Sequence, residues 1–474
     1  MGSAYDAVVV GAGPNGLAAG ICLARAGLKV VVLEANATPG GAVRSAELTL
    51  PGYVHDPGSA IHPMAAGSPF FRSLGLEWHG LEWVQPEMAL AHPLDDGAVT
   101  LAGSVAETAR GLGGDEAAYE RLMGGMVEQW EAIAGEILRP MAHWPRHPVA
   151  LGEFGVRAVW PAGVVMRRWF KEERARALFA GLAGHSALAF DEAGSAAVAV
   201  VLGTMGHAVG WPFPRGGAQS LTNALVACLL AAGGEVECGI RVEALGELPE
   251  ARVVMLDVGP GQFLRLAGGR LPARYAGALE RFRAGPGVFK IDYALDGAVP
   301  WRDAVCGRAG TVHLGGSGEE IAAAEKTVAR GGIPDRPFVL GAQHTVFDST
   351  RAPAGKHTFW AYCHIPYGSM FDMTSRIEGQ IERFAPGFRD RVLARHVMGP
   401  AQLEGWDRNL AGGDISGGAA TLWQLLARPV AMATPYRTPL PGVYLCSAST
   451  PPGGGVHGMC GYHAARAALA DVFA

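Results

Sequence analysis

The chain has 474 residues, 49% hydrophobic and 18% charged, with a formal net charge of −5. That length points to two domains rather than one core, and that balance excludes a disordered chain. A net negative chain with no basic block offers no bulk attraction to nucleic acid, so no nucleic-acid partner is expected.

Residues 1–5 lack a basic n-region and no stretch offers 18 consecutive strongly apolar residues, so neither a secretory signal nor a membrane-spanning helix is expected. The seven cysteines are scattered without a C-x-x-C pair, which fits a reducing compartment and predicts neither a zinc site nor a disulfide scaffold. A cytoplasmic location follows, with peripheral membrane contact left open. Nothing in the sequence sets the oligomeric state.

The first element is an apolar run, Ala7 to Val10, that delivers Gly11, Gly13 and Gly16 to the start of a helical segment over 17–26. Gly11 suits a tight turn, Gly13 a close approach to a diphosphate, and Gly16 the packing of helix on strand. A second apolar run, 29–33, ends in Glu34, where a carboxylate can take both ribose hydroxyls. With Pro14, Asn15 and Ala35 these residues predict a dinucleotide site. Gly40 and Gly41 follow six residues later, beside Ala42, and let the backbone pass close to the diphosphate. Arg44 has two readings, charge neutralisation at the diphosphate or a structural ion pair.

His55, Asp56 and His62 lie close in sequence, and Pro57 and Pro63 make the segment extended and turning. No further acid or cysteine completes a ligand set, so no metal is predicted; structural hydrogen bonding or a place near cofactor or substrate remains. Helices are expected over 115–138, 167–182 and 193–207, forming a cap over the ligand. Pro214-Arg215-Gly216-Gly217 precedes a helix over 219–232 whose start either faces an anionic group or caps a scaffold helix. Strands follow over 234–242, placing Val242 near the cofactor, and over 252–256.

The middle of the chain predicts a mixed domain, with strands over 289–295, 311–314, 338–343 and 358–364 and helices over 317–330 and 375–384. Trp360, Tyr362 and His364 alternate along one of these strands and are substrate-side candidates, with core packing as the competing reading. Near the end, Gly453, Gly454 and Gly455 run into Val456 and His457 ahead of a helix over 459–472. Three consecutive glycines favour close backbone approach. The helix start then aims its amides at a bound ring that gains negative charge on reduction. Gly454, Gly455, Val456 and His457 are therefore cofactor candidates.

These blocks, with Pro51-Gly52-Tyr53 and Gly412-Gly413-Asp414-Ile415, make the chain resemble the phytoene desaturase-related flavoproteins, in the phytoene-dehydrogenase-like branch of the amine oxidase superfamily. The resemblance spans nearly the whole chain. It implies non-covalently bound FAD in an α/β Rossmann-like domain with an α+β substrate domain. The FAD domain is expected to be split over 1–74, 206–266 and 427–474, with 75–205 and 267–426 forming the substrate and cap regions. Thr38 before the double glycine and Ala42 after it depart from the basic flanks of many amine oxidases and desaturases.

The expected chemistry is oxidation or desaturation of an apolar or amphiphilic small molecule, possible substrates including a carotenoid-like polyene. Electrons leave to oxygen, a quinone or a redox protein, because no second glycine fingerprint provides a nicotinamide domain. His364, Tyr362 and His457 are the candidate catalytic side chains. A flavin amine oxidase, a redox-neutral polyene isomerase and a non-enzymatic FAD-stabilised interaction protein are the alternatives.

Overall fold

The computed structural model describes residues 5–474. Ala7–Val10 is buried along its whole length and occupies the centre of a five-stranded parallel sheet. A strand covered on both faces needs a continuous β-branched run rather than an alternating one, which Val8, Val9 and Val10 supply. Across the sheet the order is Val443–Leu445, Val253–Leu256, Ala7–Val10, Val30–Glu34 and Glu235–Cys238. Val8 is in register with Val254 on one side and Val31 on the other. The chain thus leaves the first strand in one direction and returns on its other side, opening a crevice at the strands' carboxyl ends.

Pro14–Arg25 starts directly after the first strand, with Gly13 as N-cap and Pro14 at its first position, where a missing N–H costs nothing. Met459–Ala468 packs against it so closely that a Cβ on Gly461 would meet the Asn15 carbonyl oxygen at 1.8 Å. Pro260–Ala267 and Ala273–Glu280 cover the same sheet, joining Phe263, Tyr275 and Leu279 to Val10, Leu256 and Leu445. Residues 273–280 therefore pack with the dinucleotide sheet, beyond the expected boundary at 266.

A second sheet has seven strands in the order Val392–Met398, Gly287–Leu295, His357–Ile365, Val339–Ala342, Ala309–Leu314, Met88–Leu94 and Gly97–Leu101. Register sets Lys290 opposite Tyr362 and Asp292 opposite Trp360, so these four side chains share one face. Ile291, Tyr293, Phe359 and Ala361 point the other way into an apolar core with Ile377 and Phe388.

Two expected helices are broken. The segment 115–138 forms Glu116–Glu128 and Trp130–Ile137, separated at Gln129, whose ψ of 13° leaves the helical well. The segment 167–182 divides between Ala162–Trp169 and Glu173–Gly184, because Phe170 adopts an extended backbone. Among the described residues no single helix is long and apolar enough to cross a membrane.

Candidate active site

One cavity of about 1710 Å³ runs from the carboxyl ends of the parallel strands to the shared face of the second sheet. Ligand sites commonly measure roughly 300–1,000 Å³, so this one has room for a cofactor and a substrate together. Its dinucleotide end is lined by Gly11, Gly13, Pro14, Asn15, Glu34, Ala35, Gly41, Ala42 and Val242. Gly16 and Gly40 lie behind that wall and act through the backbone. A Cβ on Gly16 would reach 2.0 Å from the Gly11 oxygen, and Gly40, at φ +130°, donates its N–H to the Ala12 carbonyl.

The Glu34 carboxylate is 4% exposed and is fixed by the Ala12 N–H at 2.8 Å and by both the backbone and side-chain N–H groups of Asn36. Arg44 does not reach the cavity, a correction to its expected place at the diphosphate. Its Nε donates to the Gly41 carbonyl, its Nη2 to the Trp406 carbonyl, and its guanidinium lies 4.2 Å from the Trp406 ring centroid. It therefore shapes the glycine loop instead of neutralising a ligand.

Asp257, which the sequence did not single out, ends the Val253–Leu256 strand at the cavity wall. Its Oδ2 accepts the Gly16 N–H at 2.9 Å. Burial pushes its carboxyl up to about 8 despite that hydrogen bond, and the nearby Asp407 and Glu34 charges push the same way. Below that pH the group is neutral, so it adds no negative charge beside a diphosphate.

Gly454, Gly455, Val456 and His457 form the opposite jaw. His457 Nδ1 accepts the Met459 N–H at 3.0 Å, which caps the last helix and leaves the proton on Nε2. That Nε2 is buried without a partner, as is Asn15 Oδ1 across the cavity. Arg428 joins this end, donating to the carbonyls of Gly417, Ala448 and Ser449. The start of Gln219–Ala231 is no anion site, since Asp56 Oδ1 already accepts the Ala218 N–H and Ser45 Oγ accepts that of Gln219.

At the second sheet Trp360 and Tyr362 line the cavity with their rings edge to face and 5.0 Å apart. Trp360 Nε1 donates to the Asp56 carbonyl, fixing that ring. His364 shares their strand face but lies off the cavity, 2.9 Å from Glu325 on the covering helix Gly318–Ala329. It is a structural partner here, not a substrate contact. Lys290, absent from the sequence candidates, does reach the cavity, beside the Trp360 ring at 5.4 Å.

His62 also lines the cavity, with both ring nitrogens buried and unpartnered. Asp56 is spent on structure. Against a burial that favours its neutral form, Arg351, His344 and Ser45 hold it down to about 2. One stretch of the wall is apolar, formed by Leu151, Phe154, Leu188, Val198, Val201 and Leu202, while Glu136, His143, His185 and Thr311 also line the cavity.

The residues present fit a flavin dinucleotide: a glycine turn without side chains, a carboxylate at the end of the second strand, and two orphaned polar atoms across the jaws. Residues 9–74 match the model of the NAD(P)-binding Rossmann-like domain family. Across 98% of this chain and all of the other, the structure is similar to an oxidoreductase from Methanosarcina mazei, with a TM-score of 0.67 and 17% identity. It is likewise similar to cyclohexylamine oxidase from Brevibacterium oxydans IH-35A, with a TM-score of 0.62 and 15% identity over 99% of this chain and all of that one. These likenesses show an α/β Rossmann-like fold shared with those proteins. In sequence, 99% of the chain aligns at 27% identity with 94% of the rat pyridine nucleotide-disulfide oxidoreductase domain-containing protein 2.

Proposed function

We propose that this protein is an FAD-dependent oxidase of an amine that carries a bulky apolar group. The observation that carries the reading is the edge-to-face Trp360–Tyr362 pair, inclined at 77°, in a cavity with a largely apolar stretch of wall. Ring faces favour an amino head group through their quadrupoles, and the apolar stretch takes the remainder. The likeness to cyclohexylamine oxidase supports the amine over a hydrocarbon.

FAD, when bound, supplies a two-electron acceptor. The chain's own residues do the rest. Trp360, held by the Asp56 carbonyl, and Tyr362 orient the carbon to be oxidised. The aliphatic helices exclude water. Lys290 places a nitrogen at the same wall, where a proton leaves the substrate.

A second reading, desaturation of a polyene or acyl chain, draws on the length of the cavity and the apolar stretch of its wall. Peripheral membrane contact belongs to either reading. It is supported by exposed apolar side chains on and just before the helix Pro148–Ala158, Trp144 at 92%, Val149 at 70% and Val156 at 64%, the last of which lines the cavity. The deciding experiment is anaerobic bleaching of the bound flavin across apolar amines, polyenes and acyl compounds, followed by admission of oxygen. Bleaching by amines with peroxide release supports the first reading, bleaching by hydrocarbons alone moves it to the second, and bleaching by neither refutes both.

A further inference from the structure

A file of buried polar groups leads away from the cavity. Lys290 and Asp292 are two residues apart on Gly287–Leu295 and share a face, with exposures of 2% and 0%. Lys290 Nζ donates to Asp292 Oδ2 in a short contact. The other oxygen, Asp292 Oδ1, is buried without a hydrogen-bond partner and lies 3.8 Å from His55 Nδ1. His55 is itself 2% exposed and places Nε2 2.7 Å from Thr49 Oγ1. Thr49 is half-buried and sits in the turn beside exposed Leu50.

Desolvating a lysine and an aspartate together costs several kcal/mol per ion, of order that or more than their attraction returns, so packing alone gives no reason for the pair. Burial shifts Lys290 down and Asp292 up, bringing the charged and neutral forms of the pair closer in energy. Burial, with the Lys290 and Arg351 charges, holds His55 down to about 3, so it is a neutral acceptor. Asp56, Arg351, His344 and His396 are the other charged or titratable groups facing this file.

We propose that Lys290, Asp292, His55 and Thr49 form a proton conduit between the reacting end of the cavity and solvent at the Thr49 turn. The conduit rests on the oxidoreductase reading. Hydride transfer from a substrate C–H bond sends an electron pair and one proton to FAD and leaves a second proton on the substrate. The Lys290 ammonium first passes its own proton to Asp292 Oδ2, and the freed amine then takes the second proton from the substrate. The protonated carboxyl rotates to turn its O–H toward the imidazole and gives the proton to His55 Nδ1 once their 3.8 Å gap closes to about 3 Å. The imidazole releases its Nε2 proton to Thr49 Oγ1, which passes its own to water, and ring reorientation restores the first tautomer. FAD is the oxidant, and each carrier ends in its starting charge state.

The test needs no substrate. Reduction of the FAD-loaded protein by reduced methyl viologen, which delivers electrons without protons, draws protons from solution, and a pH-indicator dye reads their uptake beside the flavin absorbance. In the wild type uptake keeps pace with bleaching. His55→Ala and the shape-preserving Thr49→Val slow uptake by about tenfold or more, and added imidazole restores His55→Ala. In resting protein, Asp292→Asn shifts the 15N resonance of His55 Nδ1. Uptake at the wild-type rate in both variants, or slowing that imidazole does not relieve, overturns the conduit. A flavin that no substrate bleaches refutes the proposed function instead and leaves this measurement intact.

Discussion

Asp257 Oδ2 accepts the backbone N–H of Gly16 at 2.9 Å, tying the end of one strand to the first turn of a helix 241 residues earlier. Burial pushes the Asp257 carboxyl up to about 8, against 3.8 for an ordinary aspartate. Between those values the native state holds one proton more than the unfolded state. Stability therefore falls as pH rises through that window, by up to about 1.4 kcal/mol per pH unit from this group. Asp257→Asn should remove that slope. Urea titrations of both proteins from pH 5 to 9 check it; parallel stability curves would count against the buried acid.

The buried histidines act in the opposite direction. Burial holds His62, His92 and His457 down to about 4 and His344 to about 3, against 6.5 for a free imidazole. Each depressed group contributes stability that is fully present above 6.5 and lost as pH falls toward its folded value. The melting temperature should drop steeply between pH 6.5 and 4. His92→Gln, which keeps a donor for the Gly316 carbonyl, should soften that drop. A flat profile down to pH 5 would contradict it.

Two glycines separate ligand space from packing space. Gly13 has an ordinary extended backbone, yet a Cβ there would stand 2.8 Å from Asp257 Oδ2 at the cavity wall. Gly13→Val should fold and lose FAD at least about tenfold in affinity. Gly461→Val instead drives a side chain into the Asn15 carbonyl and should lower the melting temperature by several degrees or prevent folding. Absorbance of released flavin and calorimetry on the same samples distinguish the two.

On the second sheet, Tyr362→Leu should change kcat/KM by about tenfold while FAD content stays near wild type, since the ring faces the cavity. His364→Gln should do the reverse. It takes the imidazole from buried Glu325 and should cost about 1–3 kcal/mol of stability with little change in substrate preference. Proportional loss of activity and flavin in Tyr362→Leu would return that residue to the core.

What was legible in the sequence was local. The glycine turn, Glu34 and the double glycine act within some thirty residues, and their spacing carries their geometry. The terminal glycine block was legible because consecutive glycines have few other uses. Asp257 and Lys290 were not, because each looks like an ordinary residue at a strand and gains its role from partners on distant segments. Alternation correctly placed Trp360, Tyr362 and His364 on one face, but period 2 cannot tell where a covering helix ends the cavity. Helical periodicity over 115–138 likewise ran through Gln129, since a break in ψ leaves no mark on the apolar pattern.

The cofactor jaws are closed by the chain's last strand and last helix, Val443–Leu445 and Met459–Ala468. During synthesis the glycine turn leaves the ribosome more than 400 residues before its neighbours Gly461 and His457. Until residues 443–468 are made the parallel sheet lacks an outer strand and the first helix lacks its packing partner, so an apolar surface stands open to chaperones and to other nascent chains. Yield in cells should therefore respond to the rate of elongation and to chaperone supply more than to the supply of flavin.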